Sequence, residues 1–248
     1  MLAWPHRGER ARSLQAVPAI SWYEGIVITV HHLNNSRSQR VLWLLEELEL
    51  PYELVKYERD PKTLLAPPSL QAIHPLGKSP VITDGEVTVA ESGWIIEYIV
   101  ETYGKGRLVP TAGTQHYRDY RYFMHYAEGS LMPYLLLKLI FRKVKTAPMP
   151  FFIKPVARRI ADGVGQRFID PNLTRHLTFL GDHLGKHPWF AGPELSAADI
   201  QMSFPLEGAV ARAGDMVSPR LTEWVKKVQA RPAYQRALDK GGPYEIAG

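Results

Sequence analysis

Short apolar runs and apolar-striped segments alternate along residues 26–103, which is the pattern of a compact α/β unit. The predicted elements are a strand at 26–30, a helix at 40–50 with Glu46, Glu47 and Glu49 exposed, a strand at 52–57, a helical turn near Leu70, strands at 81–83 and 87–89, and a helix at 91–103. The β-branched run 26–30 indicates a buried strand, and Pro51 ends the first helix. Asp84-Gly85 is typical of a type I′ hairpin turn. A thioredoxin-like sheet has this order of elements.

The pattern changes where glycine and proline recur in residues 104–114, and we predict a linker at 105–114. Beyond it the chain shows no strand pattern, and a long helix rich in aromatic residues is predicted at 115–143. Further helices are predicted at 151–168, 171–186, 196–211, 219–230 and 232–239. The sequence therefore predicts an α/β domain at 26–104 followed by an all-helical domain at 115–248.

Composition narrows the function classes. None of the 248 residues is cysteine, which excludes disulfides, cysteine-ligated metal clusters and a cysteine nucleophile. Residues 1–25 contain no apolar run of the length that a secretory signal needs, and we expect a loosely attached extension. A transit peptide is the alternative, although Glu9 and Glu24 weigh against it. No stretch reaches the about 18 apolar residues of a spanning helix, so we expect a cytoplasmic protein without a membrane partner.

The net charge of +5 is concentrated in one segment. Residues 138–167 contain eight lysine or arginine residues and one aspartate, so this segment carries +7 and the rest of the chain carries −2. With Phe141, Phe151 and Phe152 nearby, the segment could bind RNA or acidic lipid. The alternative is a solvated helix face with apolar anchors. We expect the solvated face and no nucleic-acid partner.

Polar residues occupy the predicted junctions of strand and helix, where helix N-termini point N–H groups outward. Asn35 and Ser36 precede the first helix, and a serine hydroxyl there could donate to an anion or form an ordinary N-cap. Glu91 and Ser92 open the 91–103 helix, where they could hold the charged head of an amino acid or form a plain cap.

Two further features have simple structural interpretations. Ser79-Pro80 opens the third strand, and a cis bond there would turn the backbone groups of Ser79 outward, although a trans bond is the commoner case. Ser196 is followed three residues later by Asp199, which is a capping-box pattern, and we interpret the pair as the start of a buried helix.

The order and spacing of these features together resemble those of glutathione transferases. The strings that carry the resemblance are SRSQRVLWLLEELELPYEL (36–54), HPLGKSPVITDGEVTVAESGWIIEYIVETYG (74–104) and LSAADIQMSFPLE (195–207). The resemblance covers residues 26–243 and is closest to the bacterial and fungal branch with a serine-type site. It implies a thioredoxin-like N-terminal domain followed by an all-helical domain, and a homodimer.

The resemblance also implies a catalytic hydroxyl and a glutathione-binding turn. Serine-type members place the hydroxyl four residues before an arginine of the first helix, which here is Ser36 before Arg40, with Asn35 as the reserve. Ser79 and Pro80 match the cis-proline turn of the family, in which the serine backbone would pair with the cysteinyl unit of glutathione.

The remaining matches concern the ends of glutathione and a folding motif. Glu91 and Ser92 match the pair that holds the γ-glutamyl head, and Lys78 matches a basic residue that reaches the glycyl carboxylate. Ser196 and Asp199 match a buried folding box, which agrees with the structural interpretation above.

The implied reaction is conjugation of the glutathione thiolate to an electrophile, or glutathione-dependent peroxide reduction, with glutathione as co-substrate. A free thiol has a pKa of about 8.5, so little of it is ionised at pH 7. The Ser36 hydroxyl and nearby N–H groups would stabilise the thiolate, with Ser36 as a donor and not a nucleophile. The alternative is a non-catalytic ligand-binding or assembly module of the same fold.

The electrophile is expected between the domains, against the long helix. Candidates for that wall are Tyr117, Tyr126, Met132 and Tyr134. Aromatic residues at helical spacing also serve as core, so that alternative stays open. No metal site is predicted, because His183 and His187 lie four residues apart but glycine and proline interrupt the helix and no third ligand is apparent.

Overall fold

A computed structural model describes residues 28–63, 65–242 and 244. The predicted extension 1–25 lies outside the described residues, as do the first two residues of the predicted strand 26–30. The N-terminal elements are β1 (Ile28–Leu33), α1 (Ser38–Glu47), β2 (Tyr52–Tyr57), α2 (Pro68–Gln71), β3 (Val81–Asp84), β4 (Val87–Ala90) and α3 (Ser92–Tyr103). The predicted order of elements is therefore confirmed from β1 onward.

The four strands form one mixed sheet in the order β2-β1-β3-β4. β1 is parallel to β2 and antiparallel to β3, and β3 is antiparallel to β4. The alternating burial along β2 suits an edge strand, whereas the central β1 is buried along most of its length. α1 and α3 pack against the sheet and against each other. This arrangement is the predicted thioredoxin-like fold.

Two details of this domain differ from prediction. Gly85 has φ +57, but Glu86 is not in the positive-φ region, so the β3–β4 turn is not type I′ and instead has the type II′ pattern, with glycine first. Glu46 is buried, not exposed, because α10 covers α1 and places Arg236 and Lys240 beside it. Burial opposes ionisation of this carboxylate, but the hydrogen bonds from Lys240 and Arg236 outweigh it and lower the pKa of Glu46. Glu47, also predicted to be exposed, pairs with Arg231 and has only 11% of its side chain exposed.

The C-terminal part of the described chain is helical. Its elements are α4 (Gln115–Tyr126), a first π turn (Ala127–Leu131), α5 (Met132–Thr146), α6 (Lys154–Val164), a second π turn (Gly165–Ile169), α7 (Asp170–Leu184), α8 (Ala197–Arg212), a 3₁₀ turn (Gly214–Met216), α9 (Pro219–Gln229) and α10 (Pro232–Gly241). The predicted long helix is α4, the first π turn and α5 in succession. Among the described residues, no helix has the length and apolar character needed to cross a membrane.

A buried capping box starts α8, as the sequence predicts. Asp199 accepts hydrogen bonds from the backbone N–H and the hydroxyl of Ser196, both at 2.9 Å, and from the N–H of Phe190 at 2.8 Å. Burial raises the pKa of Asp199 to about 6 despite these donors. Ser196 and Asp199 are both buried, which agrees with a structural and not a catalytic role.

Candidate active site

Three segments that the sequence indicates lie at one edge of the sheet. Because β1 and β3 are antiparallel with His31 opposite Val81, the end of β1 lies beside the start of β3. Val81 also pairs with Ala90, so the end of β4 reaches the same edge. The candidate residues that follow β1, precede β3 and follow β4 are Ser36, Ser79, Pro80, Glu91 and Ser92.

Ser36 lies in the turn that leads from β1 into α1. Asn35 has φ +50, in the left-handed region that asparagine tolerates better than most residues, and the chain turns there. The carbonyl of Ser36 accepts from the N–H of Gln39 at 3.4 Å, and its hydroxyl accepts from the N–H of Ser38 at 3.2 Å. The Ser36 hydroxyl is therefore at the positive end of α1, where negative charge is favoured.

Three serine hydroxyls meet in this turn. The Ser36 Oγ lies 2.7 Å from the Ser38 Oγ and donates to the Ser79 Oγ at 3.4 Å. The Ser79 hydroxyl in turn donates to the carbonyl of His31 at 2.9 Å and accepts from the N–H of Leu33 at 3.2 Å. Since the Ser38 N–H already occupies an acceptor position of the Ser36 Oγ, the hydroxyl proton of Ser36 is the group that can turn toward a bound anion.

The Ser79–Pro80 peptide bond is cis, as the resemblance implies. Pro80 is buried, Ser79 is half-buried and Lys78 is exposed. The hydrogen bonds of Ser79 tie this turn to β1, so the two segments are held together although 43 residues separate Ser36 from Ser79. Lys78 stands at the same edge with its ammonium accessible to an anionic ligand.

Glu91 and Ser92 begin α3 in a strained conformation. Glu91 is exposed and has φ +73, which a residue with a Cβ adopts at a cost, and such strain concentrates at functional sites. Its side chain makes no capping hydrogen bond to α3, so the plain-cap interpretation fails for this carboxylate. Ser92 is buried beside it. The Glu91 carboxylate is therefore exposed at the start of α3 and makes no hydrogen bond that caps the helix.

His32 contacts the serine cluster through Ser38. Its Nδ1 lies 2.9 Å from the Ser38 Oγ, and both residues are buried. Burial and, second, the positive charge of Lys56 lower the pKa of His32 to about 4. The imidazole is therefore neutral at pH 7, and it holds Ser38 by a hydrogen bond between uncharged groups.

An ion-pair cluster that sequence patterns did not indicate joins this turn to the helical domain. Glu128, in the first π turn, accepts from the Nε of Arg37 at 2.9 and 3.1 Å and also from the guanidinium of Arg40. Arg40 is buried and donates to both oxygens of Gln201 on α8. Because 91 residues separate Arg37 from Glu128, no local spacing could show the pairing.

The two arginines of this cluster stabilise the ionised form of Glu128. Burial alone would raise the pKa of Glu128, but Arg40 and Arg37 outweigh it, and the pKa of Glu128 is lowered. Phe204 of α8 packs against the same groups, with its ring centre 4.9 Å from the guanidinium carbon of Arg37 and 5.4 Å from that of Arg40. Glu128, Gln201 and Phe204 thus contact the start of α1 from the helical region.

The predicted electrophile wall has a different set of contacts. Tyr126 is buried and its hydroxyl bonds Nδ1 of His176 on α7, whose ring also lies 5.1 Å from the ring of Tyr134. Tyr117 packs 6.0 Å from Tyr120 within α4, and Met132 packs against the core. For Tyr126 and Tyr134 these contacts favour the core alternative, because both rings face α7.

His183 and His187, which lie four residues apart, pack against each other, and His183 bonds the backbone. The rings of His183 and His187 lie 4.9 Å apart, and the Nε2 of His183 bonds the carbonyl of Phe190 at 3.0 Å. Across the part of the chain that the structure describes, there is no group of three or more His, Cys, Asp or Glu side chains that could hold a metal.

Comparison with known proteins assigns this chain to one family. The family model "Glutathione S-transferase, N-terminal domain" matches residues 27–101. Glutathione S-transferase 1 of Saccharomyces cerevisiae is 35% identical over 223 residues, which are 86% of this chain and 95% of that protein. Glutathione S-transferase 3 of Schizosaccharomyces pombe is 34% identical and is covered to 88%, again by 86% of this chain. The chain belongs to the glutathione S-transferase family.

Solved structures agree at the level of the fold. A glutathione S-transferase from Actinobacillus pleuropneumoniae, 28% identical, superposes with a TM-score of 0.72 over 89% of this chain and 96% of its own. The transferase URE2P6 of Phanerochaete chrysosporium, solved in complex with oxidized glutathione, is 24% identical with a TM-score of 0.64 over 88% of this chain and 97% of its own. The second likeness shows the fold alone.

Proposed function

We propose that this chain conjugates the thiolate of glutathione to electrophilic small molecules, with a serine-type site centred on Ser36. The observation that carries the proposal is the meeting of the Ser36, Ser79–Pro80 and Glu91–Ser92 segments at one edge of the sheet, beside the N-termini of α1 and α3. Two helix N-termini and a carboxylate side by side suit a ligand that has a thiolate, a carboxylate and an ammonium group.

Each segment has its own task in this proposal. The Ser79 backbone pairs with the cysteinyl unit and positions its sulfur beside the Ser36 hydroxyl, which donates to the thiolate and keeps it ionised at neutral pH. Glu91 binds the ammonium of the γ-glutamyl head, Ser92 and the start of α3 bind its carboxylate, and Lys78 meets the glycyl carboxylate. The thiolate then attacks an electrophilic carbon and forms a C–S bond as a halide leaves, an epoxide C–O bond opens or an enone π bond takes up the electron pair. With a hydroperoxide the same sulfur attacks the O–O bond and releases the alcohol, and a second glutathione reduces the resulting sulfenic acid, which gives glutathione disulfide and water.

The helical wall of the electrophile site is proposed to include Phe204. Its ring is half-buried and lies against Arg37, the residue that follows Ser36. An apolar side chain next to the turn that carries Ser36 favours a hydrophobic electrophile. Tyr117 and Met132, which are partly buried, remain proposed members of that wall, whereas the ring of Tyr134 packs against His176 of α7 and the hydroxyl of Tyr126 bonds the same histidine.

Replacing Glu91 by alanine is expected to weaken glutathione binding by at least about tenfold, because a hydrogen bond to a charged group contributes roughly 1.5–3 kcal/mol. Isothermal titration measures the change. Glu101→Ala is the matched control, since it removes an exposed carboxylate at the other end of the same helix. Equal losses for the two variants would contradict the role of Glu91.

The binding-module alternative is separated by turnover. A chain that binds glutathione but does not consume it with any halide, epoxide, enone or hydroperoxide of a test panel would be such a module. A chain that fails to bind glutathione at millimolar concentration would overturn both forms of the proposal. Consumption with the hydroperoxide alone would replace conjugation by peroxide reduction as the main activity.

A homodimer is expected, with twice the mass of the chain in light scattering at micromolar concentration. Large aromatic side chains stay exposed on neighbouring helices of the two domains, with Trp94 on α3 and Tyr122 on α4 both about half exposed. The Arg121–Glu97 ion pair joins the same two helices. Trp94→Ser is expected to shift the protein toward the monomer, and a monomeric unmodified chain would refute the proposal.

A further inference from the structure

The exposed apolar side chains of this protein are concentrated in the basic segment. Of the 16 large apolar residues that are exposed in the described part of the chain, nine lie between residues 136 and 168. The sequence led us to expect a solvated face with apolar anchors, and anchors of a helix face would be buried. Phe151 is instead 84% exposed and Phe152 66% exposed. An apolar patch left open on a soluble domain marks an interaction site.

These residues form one surface, which we call the α6 surface. Ile153, Val156 and Ile160 recur at spacings of three and four, so they share one face of α6, and all three are exposed. Phe151 and Phe152 precede the helix and pack edge to face with ring centres 5.6 Å apart. The surface consists of Phe151, Phe152, Ile153, Val156 and Ile160 together with Lys154, Arg158 and Arg159.

The basic members of the α6 surface lack carboxylate partners. Lys145 pairs with Asp162, and Lys138 pairs with Asp170. Among the described residues, Lys154, Arg158 and Arg159 form no ion pair, and all three are exposed. The surface therefore presents positive charge that the described part of the protein does not neutralise.

The apolar and basic groups also share one concave region. A cavity of about 1260 Å³ lies along α6 and the second π turn. It is lined by the phenyl rings of Phe151 and Phe168 and by guanidinium groups, which are those of Arg158, Arg159 and Arg167. Guanidinium groups bind phosphate through paired hydrogen bonds, and the rings beside them suit acyl chains. A ligand for this region has anionic head groups directly next to hydrocarbon.

We propose that the α6 surface docks this protein on an anionic lipid bilayer. A helix with an apolar face flanked by lysine and arginine lies in the plane of a membrane interface, with its apolar side chains below the phosphates. Three of the five exposed anchors, Ile153, Val156 and Ile160, are aliphatic, and they suit acyl chains better than the base stacking of a nucleic acid. The docking is peripheral, and it replaces the expectation that the protein has no membrane partner.

The test is co-sedimentation of the full chain with lipid vesicles. The protein is expected to bind vesicles of phosphatidylcholine mixed with phosphatidylserine, to bind phosphatidylcholine alone at least about tenfold more weakly, and to be released by high salt. Phe151→Ser/Phe152→Ser and Arg158→Glu/Arg159→Glu are each expected to lower binding by at least about tenfold. Thermal unfolding and glutathione turnover should stay unchanged, since these side chains are exposed and lie outside the site.

The matched controls change exposed apolar and basic side chains outside the α6 surface. Leu65→Ser deletes another apolar side chain that is about two-thirds exposed, and Arg175→Glu/Lys186→Glu reverses two exposed charges on and just after α7. Both controls should bind vesicles as the unchanged chain does. Losses equal to those of the α6 variants, or equal binding to neutral vesicles, would overturn the proposal.

Two other occupants give distinct results. If Phe151→Ser/Phe152→Ser converts a dimer to a monomer in light scattering and the unchanged chain does not bind vesicles, the surface is an interface between copies of the chain. If the unchanged chain binds single-stranded RNA in a salt-dependent manner that both α6 variants lose, and does not bind vesicles, the occupant is a nucleic acid. Either result would overturn the bilayer proposal.

Discussion

Ser36→Ala is expected to lower kcat/KM for conjugation at neutral pH by about tenfold to a hundredfold. A hydrogen bond to a charged acceptor contributes roughly 1.5–3 kcal/mol, and about 1.4 kcal/mol corresponds to a factor of ten in rate. In the structure the Ser36 Oγ accepts from the Ser38 N–H, and its own proton, which reaches the Ser79 Oγ over a long contact of 3.4 Å, can turn to a thiolate. Glutathione affinity should change little, because the Glu91 and Ser79 segments hold the rest of the molecule.

The pH dependence separates this role from a structural one. The lost donor should raise the pKa of the bound glutathione thiol toward its ordinary value of about 8.5. Activity of the variant should therefore recover as the pH rises through that range, and ultraviolet titration of the bound thiolate should show the same shift. A variant that had merely lost its fold would recover nothing at high pH.

Two comparison variants make the result specific. Ser203→Ala removes another buried hydroxyl, which bonds the carbonyl of Ile200 at 2.8 Å on α8, and it should keep full turnover. Asn35→Gly tests the reserve donor, because glycine removes the side chain and still adopts the positive φ of this position. Unchanged turnover in Ser36→Ala together with a loss in Asn35→Gly would move the donor role to Asn35.

Local periodicity was sufficient for most elements of the fold but not for their details. β2 was predicted at 52–57 and lies at Tyr52–Tyr57, because alternation and a preceding proline act within a few residues. The long helix was predicted in its extent, but the π turn at Ala127–Leu131 inserts an extra residue per turn that a periodicity over many residues cannot reveal. The hairpin turn was mistaken because Asp84 ends the strand, which shifts glycine to the first loop position.

The candidate site was likewise predicted only in part. Ser36, Ser79 and Glu91 each follow or precede a strand, so strand order and resemblance together were enough to predict their neighbourhood. Tyr126 shows the opposite case: its spacing indicates an apolar helix face, but only the packed structure shows that the face meets His176. Glu128 gave no signal in sequence, since its partners are distant and a lone glutamate in a helix is ordinary.

Glu128→Ala is expected to destabilise the protein by about 3 kcal/mol in denaturant unfolding. Breaking a buried ion pair costs roughly 3–5 kcal/mol because the remaining charge has no counter-charge, and here Arg40, with 1% of its side chain exposed, would be left buried. The lower end applies since a third of the Glu128 side chain is exposed. Asp170→Ala is the matched control: it breaks the Lys138 pair, in which neither charge is fully buried (side chains 26% and 39% exposed), and should cost less than about 1 kcal/mol.

Turnover should fall in the same Glu128 variant, because Glu128 holds Arg37 by two hydrogen bonds and Arg37 adjoins Ser36. Glu128 acts here as a positioning residue across the two domains. Glu128→Gln, which keeps an acceptor but loses the charge, should lie between the alanine variant and the unchanged protein in both stability and turnover. Equal stability of Glu128→Ala and Asp170→Ala would contradict the buried-pair argument.

A double variant tests the cause of the loss. If the cost arises from the unpaired guanidinium of Arg40, then Arg40→Met combined with Glu128→Ala should recover part of the stability that Glu128→Ala loses, since an apolar side chain of similar length can fill the same buried space. Turnover should not recover with it, because Arg37 still lacks its carboxylate. Stability regained without activity would thus separate the packing contribution of this cluster from its positioning of Ser36.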